Sequence, residues 1–213
     1  MPSLPTLALF SPAALALLAV PGPAVLYIVS QSVARGRRAG LVSMLGIETG
    51  GLFHVAAAAI GLSALLASSA HAFTVVKYAG AAYLIALGLF RLFRHSEKEN
   101  PVADPSAGLR PLFLQGVVVN VLNPKTALFF LAFLPQFVRS GHGPAALQII
   151  VLGLLFLALA VLSDGAYALL AGSAGARLRR SRKTQALSRY ASGGVLVGLG
   201  VAAALAGDGR KPS

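Results

Sequence analysis

Five ionisable side chains interrupt stretches that are otherwise apolar: Glu48, His54, Lys77, Lys125 and Asp164. A charge held in the hydrocarbon of a bilayer costs about 3 kcal/mol or more, so such a group faces a cavity or a partner. Glu48 and Asp164 are the only acids in these stretches. A carboxyl there can exchange a proton, grip a substrate ammonium, or close an ion pair with Lys125 or His54. Lys125 lies roughly 20 Å from either end of its stretch, too deep for its ammonium to reach water along its own stem. It suits a carboxylate, whether a substrate's or that of Asp164. Lys77, about two turns from an end, can snorkel. His54 follows Glu48 by roughly 9 Å along a helix and on another face; it serves as a proton-relay member or as a donor to a helix carbonyl. No histidines have metal-ligand spacing and there is no cysteine, so neither a metal site nor a cofactor is expected.

Two proline-centred breaks accompany these groups: Val20-Pro21-Gly22-Pro23 and Asn120-Val121-Leu122-Asn123-Pro124-Lys125. Proline removes a backbone donor and clashes with the preceding turn, so each site should kink or part its helix. Backbone groups released within lipid must be satisfied by protein, water or ligand. Pro21, Gly22, Pro23, Asn120, Asn123, Pro124 and Lys125 are therefore candidate substrate-binding positions. Glu48, His54 and Asp164 are candidates for coupling or for binding an ammonium.

The elements that carry these residues are expected to be membrane helices. Hydrophobic residues make up 56% of the 213, charged residues 11%, and mean hydropathy is +0.77. A water-facing globule needs roughly 25% charged residues, so lipid must be the solvent. Six stretches are long enough to span a bilayer: 5–31, 41–67, 72–92, 111–137, 146–172 and 190–207. The first has no basic segment before it and reads as a permanent span rather than a cleaved leader. Thirteen of the 18 Lys and Arg fall in alternate connections: Arg35, Arg37 and Arg38; Arg91, Arg94, Lys98 and Arg110; Arg177, Arg179, Arg180, Arg182, Lys183 and Arg189. Only Arg139, Arg210 and Lys211 lie on the other side. Basic loops stay cytoplasmic, so both termini are expected outside. The net charge of +12 thus reads as topology, not as a nucleic-acid surface.

The third span, from Lys77, and the sixth, from Arg189, share a basic residue, Tyr and Ala, then Leu84/Leu196, Leu87/Leu199 and Gly88/Gly200. A three-span unit repeated once must invert its second copy. Such inverted repeats bind substrate at their interface near the midplane, where helices in corresponding positions are broken. The expected organisation is one repeat over 1–94, a cytoplasmic linker over 95–110 and a second repeat over 111–213. Gly46, Gly50, Gly80, Gly88, Gly116, Gly194 and Gly198 are expected at close helix contacts.

The run PGP at 21–23, GIETGGLFHVAAAAIGLSALL at 46–66, VVKYAGAAYLIALGLFRLFR at 75–94 and QGVVVNVLNPKTALFFLAFLPQFV at 115–138 resemble, in this order, the lysine exporter (LysE/RhtB) family of amino-acid translocators. The resemblance implies efflux of amino acids or derivatives across the bacterial inner membrane, driven by proton or cation exchange. It carries Pro21, Gly22, Pro23, Gly80, Tyr83, Asn120, Asn123, Pro124 and Lys125 over as matching positions, adding Tyr83 to the substrate-binding candidates. Glu48 stands where residue type varies in that family, which fits a part in substrate choice.

Hydrolase and nucleotide-binding motifs are absent from the sequence, so no enzyme is expected and energy must come from a gradient. The expected protein is a secondary active exporter whose partners are a small-molecule substrate, lipid and a coupling proton or cation. The alternative is an ion or small-metabolite channel or exporter not specific for amino acids. A homodimer is left open.

Overall fold

A computed structural model describes residues 1–68, 108–139 and 141–178, with single helical positions at 75, 78, 82, 85, 86, 89, 197 and 201. The described residues are helical and contain no strand. The expected third and sixth spans, with Lys77, Gly80, Tyr83, Gly88, Gly194 and Gly198, the pairing of those spans, and most of the 95–110 linker lie outside them.

Helix α1 (Leu4–Leu18) begins at Ser3, whose side chain accepts from the Thr6 N–H, with Pro5 in the first turn. Helix α2 (Pro23–Arg35) starts at a proline behind extended Gly22, where a missing N–H costs nothing. The two are bent by 56° and together are long and apolar enough for one broken span. Only Gly36 separates α2 from α3 (Arg37–Ser68). Its φ of 84° is a conformation that a Cβ would strain, and it shrinks the first basic connection to one residue.

The second half repeats the pattern. Helix α4 (Leu109–Val121) breaks at Leu122–Asn123, and α5 (Pro124–Leu128) continues as a π turn (Phe129–Phe133) and a 3₁₀ turn (Leu134–Phe137). This pair bends by 44°. Helix α6 (Ala145–Leu178) follows. Segments of α3 and α6, Arg37–Gly61 and Ala145–Ser173, can each cross a membrane unbroken. Four of the six expected spans thus have helical counterparts.

Helix α3 packs on α4 and on α6, and α6 packs on α1 and α2. The α3–α4 seam runs backbone against backbone. A Cβ on Gly46 would sit 2.1 Å from the Phe113 carbonyl oxygen, one on Gly50 2.6 Å from that of Val117, and one on Gly116 2.7 Å from that of Ser43. Small residues permit this approach where lipid gives helices no hydrophobic drive to associate. Helices α3 and α6 run antiparallel, since Gly172 meets Arg37, Gly165 meets Met44, and Gly153 meets Val55.

The apolar interior forms two layers. The larger joins α1, the far half of α3, the π turn and the first half of α6 through Phe10, Leu17, Val55, Phe129, Phe130, Phe133, Leu152 and Phe156. The π turn places Phe129 at 4.4 Å and Phe130 at 5.5 Å from the Phe156 ring, centroid to centroid. The smaller layer, nearer the Gly36 turn, joins Ala24, Tyr27, Ile28, Met44, Ile47 and Ala168. Leu4, Phe53, Ile60, Leu122, Leu162 and Leu170 are exposed, a surface suited to lipid rather than water.

Candidate functional site

Between the two apolar layers lies a cavity of about 30 Å³. Both helix breaks border it, at Gly22 and at Asn120–Thr126, with Glu48 from α3 and Asp164 from α6. Space of this size holds roughly two waters and no amino acid.

Each proline in the breaks deprives the carbonyl four residues earlier of its helical donor. Pro23 does this to Ala19, and the Tyr167 hydroxyl donates to the Ala19 carbonyl at 2.9 Å. Pro124 does it to Asn120. There the Asn123 N–H turns back at 2.9 Å and His54 Nε2 approaches at 2.8 Å. A carbonyl only accepts, so Nε2 carries a hydrogen. The Val20 carbonyl, cut from its helix by extended Gly22, accepts from Lys125 Nζ at 2.5 Å.

Asn123 caps α5, its Oδ1 accepting from the Lys125 N–H at 3.1 Å. Asn120 ties the break to α3, donating from Nδ2 to the Ile47 carbonyl at 2.6 Å. Its Oδ1 accepts from Thr126 Oγ1 at 2.9 Å and from Asn123 Nδ2 at 3.4 Å. Lys125 is 7% exposed, and its stem lies over Gly22, where an added Cβ would stand 3.1 Å from Cδ.

Glu48 and Asp164, 8% and 3% exposed, bring their carboxyl groups within hydrogen-bonding reach of each other. Lys125 is close enough for its charge to act on Asp164. Among the described residues, Glu48 Oε1 and Asp164 Oδ1 are buried without a hydrogen-bond partner. Buried polar atoms almost always have partners. These two therefore mark where a proton, a cation or a ligand N–H can bind.

Of the residues singled out in the sequence, Gly22, Glu48, Asn120, Asn123, Lys125 and Asp164 converge on the cavity. Pro21, Pro23 and Pro124 shape its walls, whereas His54 holds the Asn120 carbonyl and stacks on Phe130. Gly46 and Gly50 lie in the α3–α4 seam; Tyr83 lies outside the described residues. Sequence reasoning passed over Thr126 and Tyr167. Both had a signal, since Thr126 adjoins Lys125 and Tyr167 stands one turn after Asp164. Among the described residues no group of His, Asp and Glu could hold a metal ion.

The chain is 34% identical over 162 residues to an uncharacterized membrane protein of Bacillus subtilis, covering 72% of this chain and 77% of that one. It is 30% identical over 185 residues to the homoserine/homoserine lactone efflux protein of Salmonella typhimurium, covering 86% and 89%. An uncharacterized membrane protein of Vibrio cholerae is 30% identical over 161 residues, covering 75% and 77%. No solved structure matches at a significant level. The family model for the LysE type translocator matches residues 15–207, and with that match the chain belongs to the LysE type translocator family.

Proposed function

We propose that this protein is a secondary active exporter of an amino acid or close derivative across the bacterial inner membrane, working by alternating access and coupled to a proton or cation. The observation that carries the reading is the cavity where both helix breaks meet Glu48, Asp164 and Lys125. A zwitterion needs a cation for its carboxylate and an anion for its ammonium. Lys125 supplies the first, aided by the first turn of α2 at Ala24 and Val25, whose N–H groups have no acceptor within the helix. The partnerless oxygens of Glu48 and Asp164 supply the second. Two carboxyls on one cavity are also suited to share a proton, so one site can exchange coupling ion for substrate.

The efflux function named for the Salmonella typhimurium relative supports an amino-acid-type substrate. A cavity too small for that substrate, with an apolar layer on either side of it, supports a gate that opens in turn over a standing pore. The full architecture we propose is six spans in two inverted repeats with both termini outside and the basic loops in the cytoplasm. It is supported by the lysine and arginine distribution and by the matched order of broken pair and unbroken helix in each half.

The test is amino-acid release from dipeptide-fed bacterial cells, profiled with and without the protein. Release of one or two amino acids should rise and collapse with the proton gradient. Lys125→Ala should abolish the rise and Lys125→Arg keep part of it. Full export both in Lys125→Ala and in the Glu48→Gln/Asp164→Asn double variant would refute the reading.

A further inference from the structure

The two carbonyls left by Pro23 and Pro124 are each held by a side chain from the unbroken helix of the opposite half. Tyr167 of α6 reaches Ala19 in the first break, and His54 of α3 reaches Asn120 in the second. Because α3 and α6 are antiparallel, these residues leave the acid pair in opposite directions. His54 lies about 9 Å beyond Glu48 along α3, on the side of the phenylalanine-rich layer. Tyr167 lies about 4.5 Å beyond Asp164 along α6, on the side of the smaller layer and the Gly36 turn. The acid pair thus has one cross-half tie on either side, each next to an apolar layer.

We propose that His54 and Tyr167 are paired positioning residues that hold the cavity closed on opposite faces: His54 closes it toward the phenylalanine-rich layer and Tyr167 toward the basic Gly36 turn. The proposal rests on the alternating-access reading and adds to it which bonds part in which half of the cycle. With both ties made, the cavity holds roughly two waters and no amino acid. A rocking motion that opens the Gly36 side draws α6 from the first break and parts Tyr167 from Ala19. One that opens the other side draws α3 from the second break and parts His54 from Asn120. Neither residue lines the cavity. Each acts by holding a carbonyl, so its loss shifts which face opens rather than removing a binding group.

The chain contains no cysteine, so a single Ala160→Cys places one thiol at the cavity wall. A membrane-impermeant thiol reagent is applied to whole cells for the outer face and to inside-out vesicles for the cytoplasmic face, with the full-length protein in both. Tyr167→Phe keeps the ring and loses the donor. It should raise labelling from the Gly36 face about fivefold, the weight of one net hydrogen bond, without raising it from the other. His54→Leu should do the reverse by a similar factor. His54→Gln, which retains an N–H donor, should restore most of the original rate and separates loss of the tie from misfolding. Increases from the same face in both variants, or labelling unchanged in both, would overturn the proposal. The readout uses no substrate. A protein that exports no amino acid but shows the opposed labelling would defeat the transport reading alone.

Discussion

The two helix breaks share a design and differ in chemistry. In both, an extended residue precedes a proline that starts a new helix, and the unbroken helix of the other half meets the carbonyl four residues before that proline. The first break, with Ala19 before it, brings almost nothing but backbone: the Ala19 and Val20 carbonyls accept from Tyr167 and Lys125, and Gly22 makes room for the lysine stem. The second break brings side chains, with Asn120, Asn123, Lys125 and Thr126 bonded to one another, to α3 and to the first break. Two similarly built gaps thus meet at one cavity, and the second holds most of the polar equipment. The asymmetry suits a substrate whose two ends differ.

That contrast can be broken hardest at the seam carrying the second break. Gly46→Leu drives a side chain into the Phe113 carbonyl, a backbone atom that cannot swing aside. It should cost more than about 3 kcal/mol, read as loss of monodisperse protein in detergent and of its thermal transition. A finer division comes from matched substitutions in the two breaks. Asn120→Ala leaves the Thr126 hydroxyl and the Asn123 amide short of an acceptor and should cost about 2 kcal/mol in thermal stability. Among the described residues, Gly22→Ala meets only the flexible stem of Lys125 and should cost less than about 1 kcal/mol, while slowing export because the ammonium shifts. Equal stability losses would show that the breaks share the structural burden. The smallest effect should come from Thr49→Ala beside Glu48. Among the described residues the Thr49 hydroxyl bonds only its own helix, at the Leu45 carbonyl, so stability should stay within about 0.5 kcal/mol and export should not change.

Much of the site could be read from the sequence because lipid makes polar residues conspicuous. Glu48, Asp164 and Lys125 had to face something, and Pro21–Pro23 and Pro124 had to part their helices. Their meeting in one cavity follows from that necessity plus the packing of α3 on α6. What the sequence did not disclose is partner choice. His54 was open between a relay and a carbonyl donor, and only its place beside the second break gives it the Asn120 oxygen. Tyr167 was overlooked although it stands one turn after Asp164, because its role arises from a carbonyl that is distant in the chain. The π turn at Phe129–Phe133 was invisible for the same reason, since it answers to the rings of Phe10 and Phe156 rather than to local propensity.

The two dry layers around a cavity for about two waters have a consequence for the cell that carries the protein. A continuous file of water through the bilayer would short-circuit the ion gradients on which gradient-driven transporters in that membrane draw. Among the described residues, the rings of Phe129, Phe130 and Phe156 lie on one side of the cavity and Ile28, Met44 and Ile47 on the other, apolar groups that cannot replace an ion's hydration. Layers of this kind oppose leakage through idle copies, so that the cell can hold export capacity in reserve before there is anything to export.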